Sequence, residues 1–409
     1  MTASQELARR ADETRALTRL AFDELSGFPY AIGQVHRAVA DRVFRALGPT
    51  GRPVQLAHDT ISAGVYGGLR GATRGLGTLA ERGLLVTGRA TRPISTTPRG
   101  AATIAALNGL IGDVLERDGN VLHQPMAVRV GGHAVDLEHE ALAAAFPDAT
   151  PRLVVFVHGL METEFAWRLG GAETYGSRLK RDLAATPLYV RYNTGRHISE
   201  NGRSLCELLE ALADQWPVPV EEIALVGHSM GGLVARSACH WASTTGADWV
   251  HDVRHVVSLG SPHMGAPLEQ AVHYASAALH ALPETRPFGT FLRRRSGGIR
   301  DLRQGSLVDE DWRDRDRDAL KRVACQEVPL LEGATHCFVA ATVTRSPRHP
   351  VGRILGDCLV LEPSASGRSR TRRIPFKAEH GVHLGGTHHL ALLNHPAVYD
   401  KLAGWLMPE

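Results

Sequence analysis

The chain has 409 residues, 43% of them hydrophobic and 22% charged, which excludes a disordered or fibrous protein and allows one large α/β domain with additions or two smaller domains. Its 46 basic and 43 acidic residues leave a net charge of only +3, too balanced for a typical nucleic-acid-binding protein. The five cysteines are scattered without a C-x-x-C pair, so neither a disulfide framework nor a zinc site is expected.

The N-terminal region is predicted to be helical. Leu7, Ala11 and Leu17 fall near one helical face, and the segment lacks the apolar centre of a signal peptide. The sequence also lacks the roughly 18 consecutive apolar residues of a membrane span. We therefore expect a cytoplasmic protein whose only membrane contact would be peripheral. Residues 1–118 are predicted to form a helical extension of unknown role.

A glycine-rich segment within this extension, GVYGGLRGATRGLGTLAERGLL, repeats glycine at four-residue spacing. Such a pattern is typical of closely packed helices. A helix pair packed on the main domain is favoured over a role at a membrane surface, because amphipathic helices usually contribute to a core.

Residues 119–409 are predicted to form the main domain. MAVRVGGHAVDL alternates apolar and polar residues around two glycines, which predicts a β-hairpin. Six short apolar runs then alternate with helical segments, which predicts a mostly parallel sheet covered by helices. The runs are RLVVFVHG, PLYVRYN, EEIALVGHS, VRHVVSLGSP, HCFVAATV and HGVHLGG. Ligands bind at the carboxyl ends of such strands, so the functional residues are expected there.

The stretch IALVGHSMGGLVARSA fits a strand, a G-x-S-x-G turn and a helix. A structural turn serine is the alternative, but this strand-turn-helix context favours a nucleophile at Ser229, held on a strained turn. Gly227 and Gly231 would allow the strand and helix to cross closely. An oxyanion would need two backbone N–H donors, predicted to be Met230 after the serine and Leu160 in the loop after the first central strand.

An insertion of about residues 268–335 separates two of the strands. Leu268, Val272 and Leu279 lie at helical spacing in its first part, which predicts a cap over a pocket. Its second part, DEDWRDRDRDALKR, is interpreted as a solvated helix face. Further along, the arginine-rich stretch GRSRTRRIPF is interpreted as an exposed loop rather than an anion site.

A serine nucleophile needs a histidine base that a carboxylate orients. The glycine loop after the last strand offers two candidates, His388 and His389. Asp357, in RILGDCLVLEPSAS, is the favoured acid, because it follows the strand that precedes the histidine loop. The competing acids lie in the charged part of the insertion, where a surface role is favoured: Asp309, Glu310 and Asp311. Structural roles are expected for three other histidines: His158, His228 and His263.

The motifs VHGL, GHSMGG, GSPHMGAP, LGDCLV and THHLALLNHPAVY together resemble the lipase and esterase branch of the α/β-hydrolase superfamily, in particular bacterial triacylglycerol-lipase-like and GPI inositol-deacylase-like serine hydrolases. The resemblance covers roughly residues 120–409. It implies an α/β-hydrolase fold with Ser229 as nucleophile, Asp357 as acid and His389 as base. The acid motif in such enzymes often reads G-D-G, whereas here Cys358 follows the aspartate.

The expected activity is hydrolysis of a small-molecule or lipid carboxylic ester through an acyl-enzyme, with no metal or organic cofactor. Two alternatives stay open. The same residues could carry out acyl transfer or thioester cleavage, and the chain could instead be a non-catalytic ligand-binding protein with this fold. Neither the oligomeric state nor the acyl-chain length follows from the sequence.

Overall fold

A computed structural model describes residues 4–20, 92–266, 269, 295–316 and 324–407. Eight strands form one sheet in the order β2-β1-β4-β3-β5-β6-β7-β8. The strands are β1 Ala127–Val130, β2 His133–Ala134, β3 Arg152–Val157, β4 Thr186–Arg191, β5 Glu222–His228, β6 Val253–Leu259, β7 Thr335–Thr342 and β8 Gly381–Gly385. Strand β1 pairs antiparallel with β2 and β4, and every other pairing is parallel. The predicted mostly parallel sheet is confirmed.

Helices connect the strands. They are α1 Pro98–Arg117, α2 His139–Ala145, α3 Tyr175–Leu183, α4 Ile198–Gln215, α5 Met230–Thr245, α6 Gly297–Asp301, α7 Pro350–Leu355, α8 Glu362–Ala365 and α9 Pro396–Trp405. Short 3₁₀ segments include Glu164–Arg168 and His389–Leu393. In the predicted hairpin, Gly131 and Gly132 have φ of 60° and 91°, the positive values that a two-residue turn between paired strands requires.

The core lies on both faces of the sheet. In β3, Leu153 and Val155 point to one face, where α4 and α5 pack, whereas Val154 and Phe156 point to the other face, where α3 and α9 pack. This alternation follows from the two-residue period of a strand. Because β3 and β5 are buried on both sides, the loops at their carboxyl ends start from fixed positions.

The chain divides into two compact units. One comprises residues 1–97, 119–122 and 271–294, and the other comprises residues 98–118, 123–270 and 295–409. Helix α1 belongs to the second unit, where the Gly112 carbonyl accepts a hydrogen bond from Asn193 Nδ2 at 2.9 Å and the Gly109 carbonyl accepts one from Ser296 Oγ at 2.6 Å. Part of the predicted N-terminal extension therefore packs with the sheet.

In the first unit, residues 4–20 are helical. The buried Glu13 carboxylate accepts hydrogen bonds from the Ser95 backbone N–H at 3.0 Å and from Arg9 Nε at 3.1 Å. The glycine-rich segment and the apolar stripe of the predicted cap lie outside the described residues. None of the described helices is long and apolar enough to span a bilayer.

Candidate active site

Ser229 lies between β5 and α5 with φ 52° and ψ −121°, a conformation that L-residues rarely adopt. Its backbone N–H donates to the Leu259 carbonyl at 2.8 Å. A Cβ at Gly227 would lie 2.3 Å from the Gly232 nitrogen, and a Cβ at Gly231 would lie 2.1 Å from the Val157 oxygen. The turn therefore requires both glycines, and it presents the Ser229 side chain at the carboxyl edge of the sheet.

The loop after β3 lies directly against this serine. A Cβ at Gly159 would be only 2.9 Å from Ser229 Cβ, so glycine permits the approach. The Met161 N–H donates to Thr194 Oγ1 at 3.2 Å, which holds the loop to the residues after β4. Among the described residues, neither the Leu160 nor the Met230 N–H donates to a protein acceptor. These two N–H groups are thus available to a ligand oxygen.

His389 and Asp357 form a buried pair, with exposed side-chain fractions of 3% and 1%. His389 Nδ1 lies 2.7 Å from Asp357 Oδ2, and the His389 N–H donates to the Asp357 carbonyl at 2.8 Å. The other carboxylate oxygen accepts from the backbone N–H groups of Leu359 and Val360, at 3.0 and 2.8 Å. Because a carboxylate accepts, Nδ1 carries the histidine proton and Nε2 presents a lone pair.

The turn after β6 brings this pair to the serine. A Cβ at Gly260 would lie 3.2 Å from the His389 ring, and the preceding carbonyl, that of Leu259, accepts the Ser229 N–H. His389 Nε2 is buried and, within the described part of the chain, has no hydrogen-bond partner. Hydrogen bonds of catalytic groups are often long before substrate binds, so this geometry is suited to a base beside a nucleophile.

The other residues considered as base or acid have different surroundings. His388 is exposed. Asp309 accepts from Ser199 Oγ at 2.6 Å and Arg203 Nη1 at 2.9 Å, and so joins the insertion to α4. Asp311 accepts from two backbone N–H groups within the insertion. Of the candidate acids, the structure thus brings Asp357 to the histidine loop.

A second carboxylate–histidine pair was missed in the sequence. Glu162 accepts from the Gly159 N–H at 2.7 Å and lies 3.0 Å from His228 Nδ1, while His228 Nε2 lies 3.3 Å from the His389 carbonyl oxygen. Burial would raise the pKa of Glu162, but the facing His228, the Gly159 N–H and His158 together lower it overall. Burial likewise lowers the pKa of His228, but Glu162 raises it overall. This ion pair joins the loop after β3 to the histidine loop.

The two remaining histidines have roles in packing. His158 is fully buried, its Nδ1 donates to the Gly159 carbonyl at 2.9 Å, and burial lowers its pKa to about 4. Burial and two nearby arginines lower the pKa of His263 well below its ordinary value. Both imidazoles are therefore neutral at physiological pH. Among the described residues, no group of three or more His, Cys, Asp or Glu side chains could hold a metal ion.

Backbone strain is concentrated at this site. Five described non-glycine residues have positive φ, and three of them belong to the candidate site: Met161, Ser229 and Cys358. Cys358 has a φ of 88° at the position where related acid motifs carry glycine, and its side chain is exposed. A side chain in this conformation clashes with its own backbone, which destabilises the folded state by about 1–2 kcal/mol.

Cys358→Gly should therefore raise the free energy of unfolding by about 1 kcal/mol, because relief of strain exceeds the added freedom of the unfolded chain. Urea unfolding measures the change. Cys358→Ala is the matched control, since it removes the thiol and keeps the Cβ, and it should leave stability close to that of the parent. An equal gain in both variants would assign the effect to the thiol.

Comparison with known proteins gives one family match. Residues 148–284, about a third of the chain, match the PGAP1-like alpha/beta domain. The matched range includes Leu160, Ser229 and Met230, and it ends before Asp357 and His389. No curated protein matches the chain.

Three solved structures illustrate the similarity. The mature Bacillus licheniformis lipase BlEst2 is 17% identical, with 63% of this chain and 92% of that chain covered and a TM-score of 0.43. EstA from Clostridium botulinum is 14% identical, with coverages of 63% and 87% and a TM-score of 0.33. Phospholipase PlaB from Legionella pneumophila is 14% identical, with coverages of 63% and 60% and a TM-score of 0.38. The family match and the strand order confirm the predicted α/β-hydrolase fold.

Proposed function

We propose, from the resemblance of this chain to the lipase and esterase branch of the α/β-hydrolase superfamily, that it is a serine hydrolase that cleaves carboxylic esters. The observation that carries the proposal is the buried His389–Asp357 pair, whose Nε2 has no partner among the described residues and lies beside the strained turn of Ser229. His389 differs from the buried packing histidines because a carboxylate accepts from its Nδ1, which leaves Nε2 as the basic nitrogen.

In the proposed acylation step, Ser229 Oγ attacks the ester carbonyl carbon while His389 Nε2 takes the hydroxyl proton. Asp357 accepts from Nδ1, so it holds the tautomer that leaves Nε2 basic and stabilises the imidazolium that forms. The carbonyl oxygen becomes an oxyanion between the Leu160 and Met230 N–H groups. Collapse of this intermediate expels the alcohol, which receives the proton from His389.

In the proposed deacylation step, His389 takes a proton from water, and the resulting nucleophile attacks the acyl-serine carbonyl. The same two N–H groups stabilise the second oxyanion, and the acid product leaves as Ser229 regains its proton. Glu162 supports both steps by positioning, because it holds the Gly159 N–H and His228. No step requires a metal ion or an organic cofactor.

A lipid ester is the proposed substrate class. Large hydrophobic side chains are exposed near Asp357 and His389 in the sequence, and Ile354, with 73% exposure, is the most exposed of them. The set is Val351, Ile354, Leu355, Leu359 and Leu390. Exposed apolar side chains in the two segments that carry Asp357 and His389 support contact with an acyl chain or a lipid surface. The five cysteines are scattered without a C-x-x-C pair, and we place the chain in the reducing cytoplasm.

A fluorophosphonate probe tests this function, because it labels a serine only when a neighbouring base activates it. We expect labelling of Ser229 in the folded chain, identified by peptide mass spectrometry, and none after heat denaturation. Hydrolysis of p-nitrophenyl esters from butyrate to palmitate then measures the preference for chain length, which should favour longer acyl groups. Folded protein that does not react with the probe would instead support a non-catalytic binding protein.

A further inference from the structure

Arg236 is a buried cation that pairs with no acidic side chain among the described residues. It lies on α5, seven residues after the nucleophile, and only 3% of it is exposed. Its Nη2 donates to the Val328 carbonyl at 2.9 Å, whereas its Nε is buried and unpaired. In the part of the chain that the structure describes, no carboxylate forms an ion pair with it. An uncompensated buried charge is strongly destabilising, so its presence requires an explanation.

The groups around Arg236 are also basic. Its Nη1 lies 3.5 Å from His263 Nδ1, and Arg372 donates from Nη2 to the His263 carbonyl at 2.9 Å. His336, on β7, also acts on Arg236 and His263 electrostatically. Burial and the nearby Arg372 lower the pKa of Arg236 to about 10, which leaves it charged at neutral pH. The four side chains form one cluster, in which the two arginines carry the positive charge and the two imidazoles are neutral; it is here named the Arg236 cluster.

The contact between Arg236 and His263 determines which ring nitrogen of His263 carries the proton. An arginine can only donate, so His263 Nδ1 accepts and the ring proton resides on Nε2. This Nε2 is fully buried and has no partner among the described residues. The Arg236 cluster thus contains two buried donors without an acceptor in the described ranges, Arg236 Nε and His263 Nε2. Buried donors are rarely left unpaired in folded proteins.

Asp311, a buried acid of the insertion, has its own hydrogen-bond partners. Asp311 is buried, and its two oxygens accept from the backbone N–H groups of Leu307 and Gln326, at 3.0 and 2.7 Å. It forms no ion pair with Arg236 among the described residues. Arg372 is only partly buried, whereas Arg368, Arg370 and Arg373 of the same loop are exposed. The cluster therefore reaches from the protein interior to an arginine-rich surface.

We propose that the Arg236 cluster is a binding site for a phosphate-type oxyanion, which accepts from Arg236 Nε and His263 Nε2 and passes Arg372 on its way in. Arginine and imidazole donors suit phosphate oxygens, and a bound anion supplies the negative charge that Arg236 lacks. The arginine-rich stretch, interpreted from sequence as an exposed loop, then contributes one side chain to this site. The site lies outside the proposed catalytic residues.

Thermal unfolding of the full chain in sodium phosphate, against sodium chloride at equal ionic strength, tests the site without any measurement of ester turnover. Phosphate should raise Tm of the parent saturably, by about 2 °C or more, because only the folded state binds it. Arg236→Met should abolish this rise and should unfold no earlier than the parent in chloride, since it removes an unpaired buried charge. Arg373→Met, an exposed arginine of the same loop, is the matched control and should retain the full rise.

If Arg236→Met does not fold, Arg372→Met provides a second variant, at the partly exposed edge of the Arg236 cluster. It should raise the phosphate concentration at half-maximal stabilisation by a few-fold, because it removes a positive charge that attracts the anion along its entry path. A parent Tm that does not respond to phosphate, or an equal response in Arg236→Met, would overturn the site. sn-Glycerol 3-phosphate distinguishes the source: an equal response indicates access for a lipid headgroup, and no response indicates a free anion.

Discussion

Ser229→Ala should lower kcat for p-nitrophenyl butyrate hydrolysis by roughly 10⁴-fold or more, the scale of loss that follows removal of a serine nucleophile. The proposed acyl-enzyme forms on Oγ, which the alanine variant lacks. Stability should change by less than about 1 kcal/mol, because alanine keeps the Cβ that fits this conformation. Initial rates and thermal unfolding, measured on the same preparations, provide the comparison.

Ser261→Ala is the matched control. Ser261 follows β6, its side chain is buried, and its hydroxyl is unpaired among the described residues. Its loss removes a serine hydroxyl that has no role in the proposed chemistry. This variant should keep activity within the same order of magnitude as the parent. If Ser229→Ala retains more than about a hundredth of the parent rate, nucleophilic catalysis by Ser229 is not tenable.

The second prediction with a large expected effect on kcat concerns His389, the proposed base. His389→Ala should lower kcat by roughly 10³-fold or more, whereas His388→Ala should change it by only a few-fold. The reason is geometric, because His389 is buried and paired to Asp357 at 2.7 Å while its neighbour is exposed. Steady-state rates for both variants, at equal folded fractions, measure the difference.

Chemical rescue separates a proton-transfer role from a structural one. Added imidazole should restore part of the activity of His389→Ala, because a small base can occupy the space left by the side chain. It should have no effect on Ser229→Ala, which lacks the attacking atom. A larger loss in His388→Ala than in His389→Ala would move the base by one residue and contradict the proposed geometry.

Local sequence signals predicted much of the fold. Apolar runs followed by glycine or polar residues marked all six central strands, and two adjacent glycines marked the hairpin of β1 and β2. The turn at Ser229 was predictable because its requirements lie within five residues. The two glycines that flank it are needed where the strand and the helix cross, as the close approaches of their absent Cβ atoms indicate.

Residues that act through distant contacts were not predictable in the same way. Glu162 lies 66 positions from His228 in the sequence, and nothing near it distinguishes it from a surface carboxylate. Arg372 differs from the other arginines of its loop only because the chain turns its side chain toward the His263 carbonyl. Helix α1 was predicted within an extension, and its packing depends on Asn193 and Ser296 far along the chain.

The assignments of Asp357 and His389 needed both the sequence and the structure. The order of strands restricted the acid and the base to two loops, but it did not choose between His388 and His389, since adjacent residues of an extended segment point in opposite directions. The structure turns His389 inward and leaves its neighbour exposed. The chemical roles of Ser229, Asp357, His389, Leu160 and Met230 remain predictions that the variants above test.

The three positive-φ residues of the site, Met161, Ser229 and Cys358, bear on how this protein could evolve. Glycine would relieve strain at each position, so selection for stability alone would favour it there. At Ser229 that replacement would remove the proposed nucleophile, and stability and activity therefore oppose each other at this residue. Cys358 has no role in the proposed chemistry, so its replacement by glycine during evolution would increase stability without loss of activity. Ser229, by contrast, must be conserved for as long as the activity is retained.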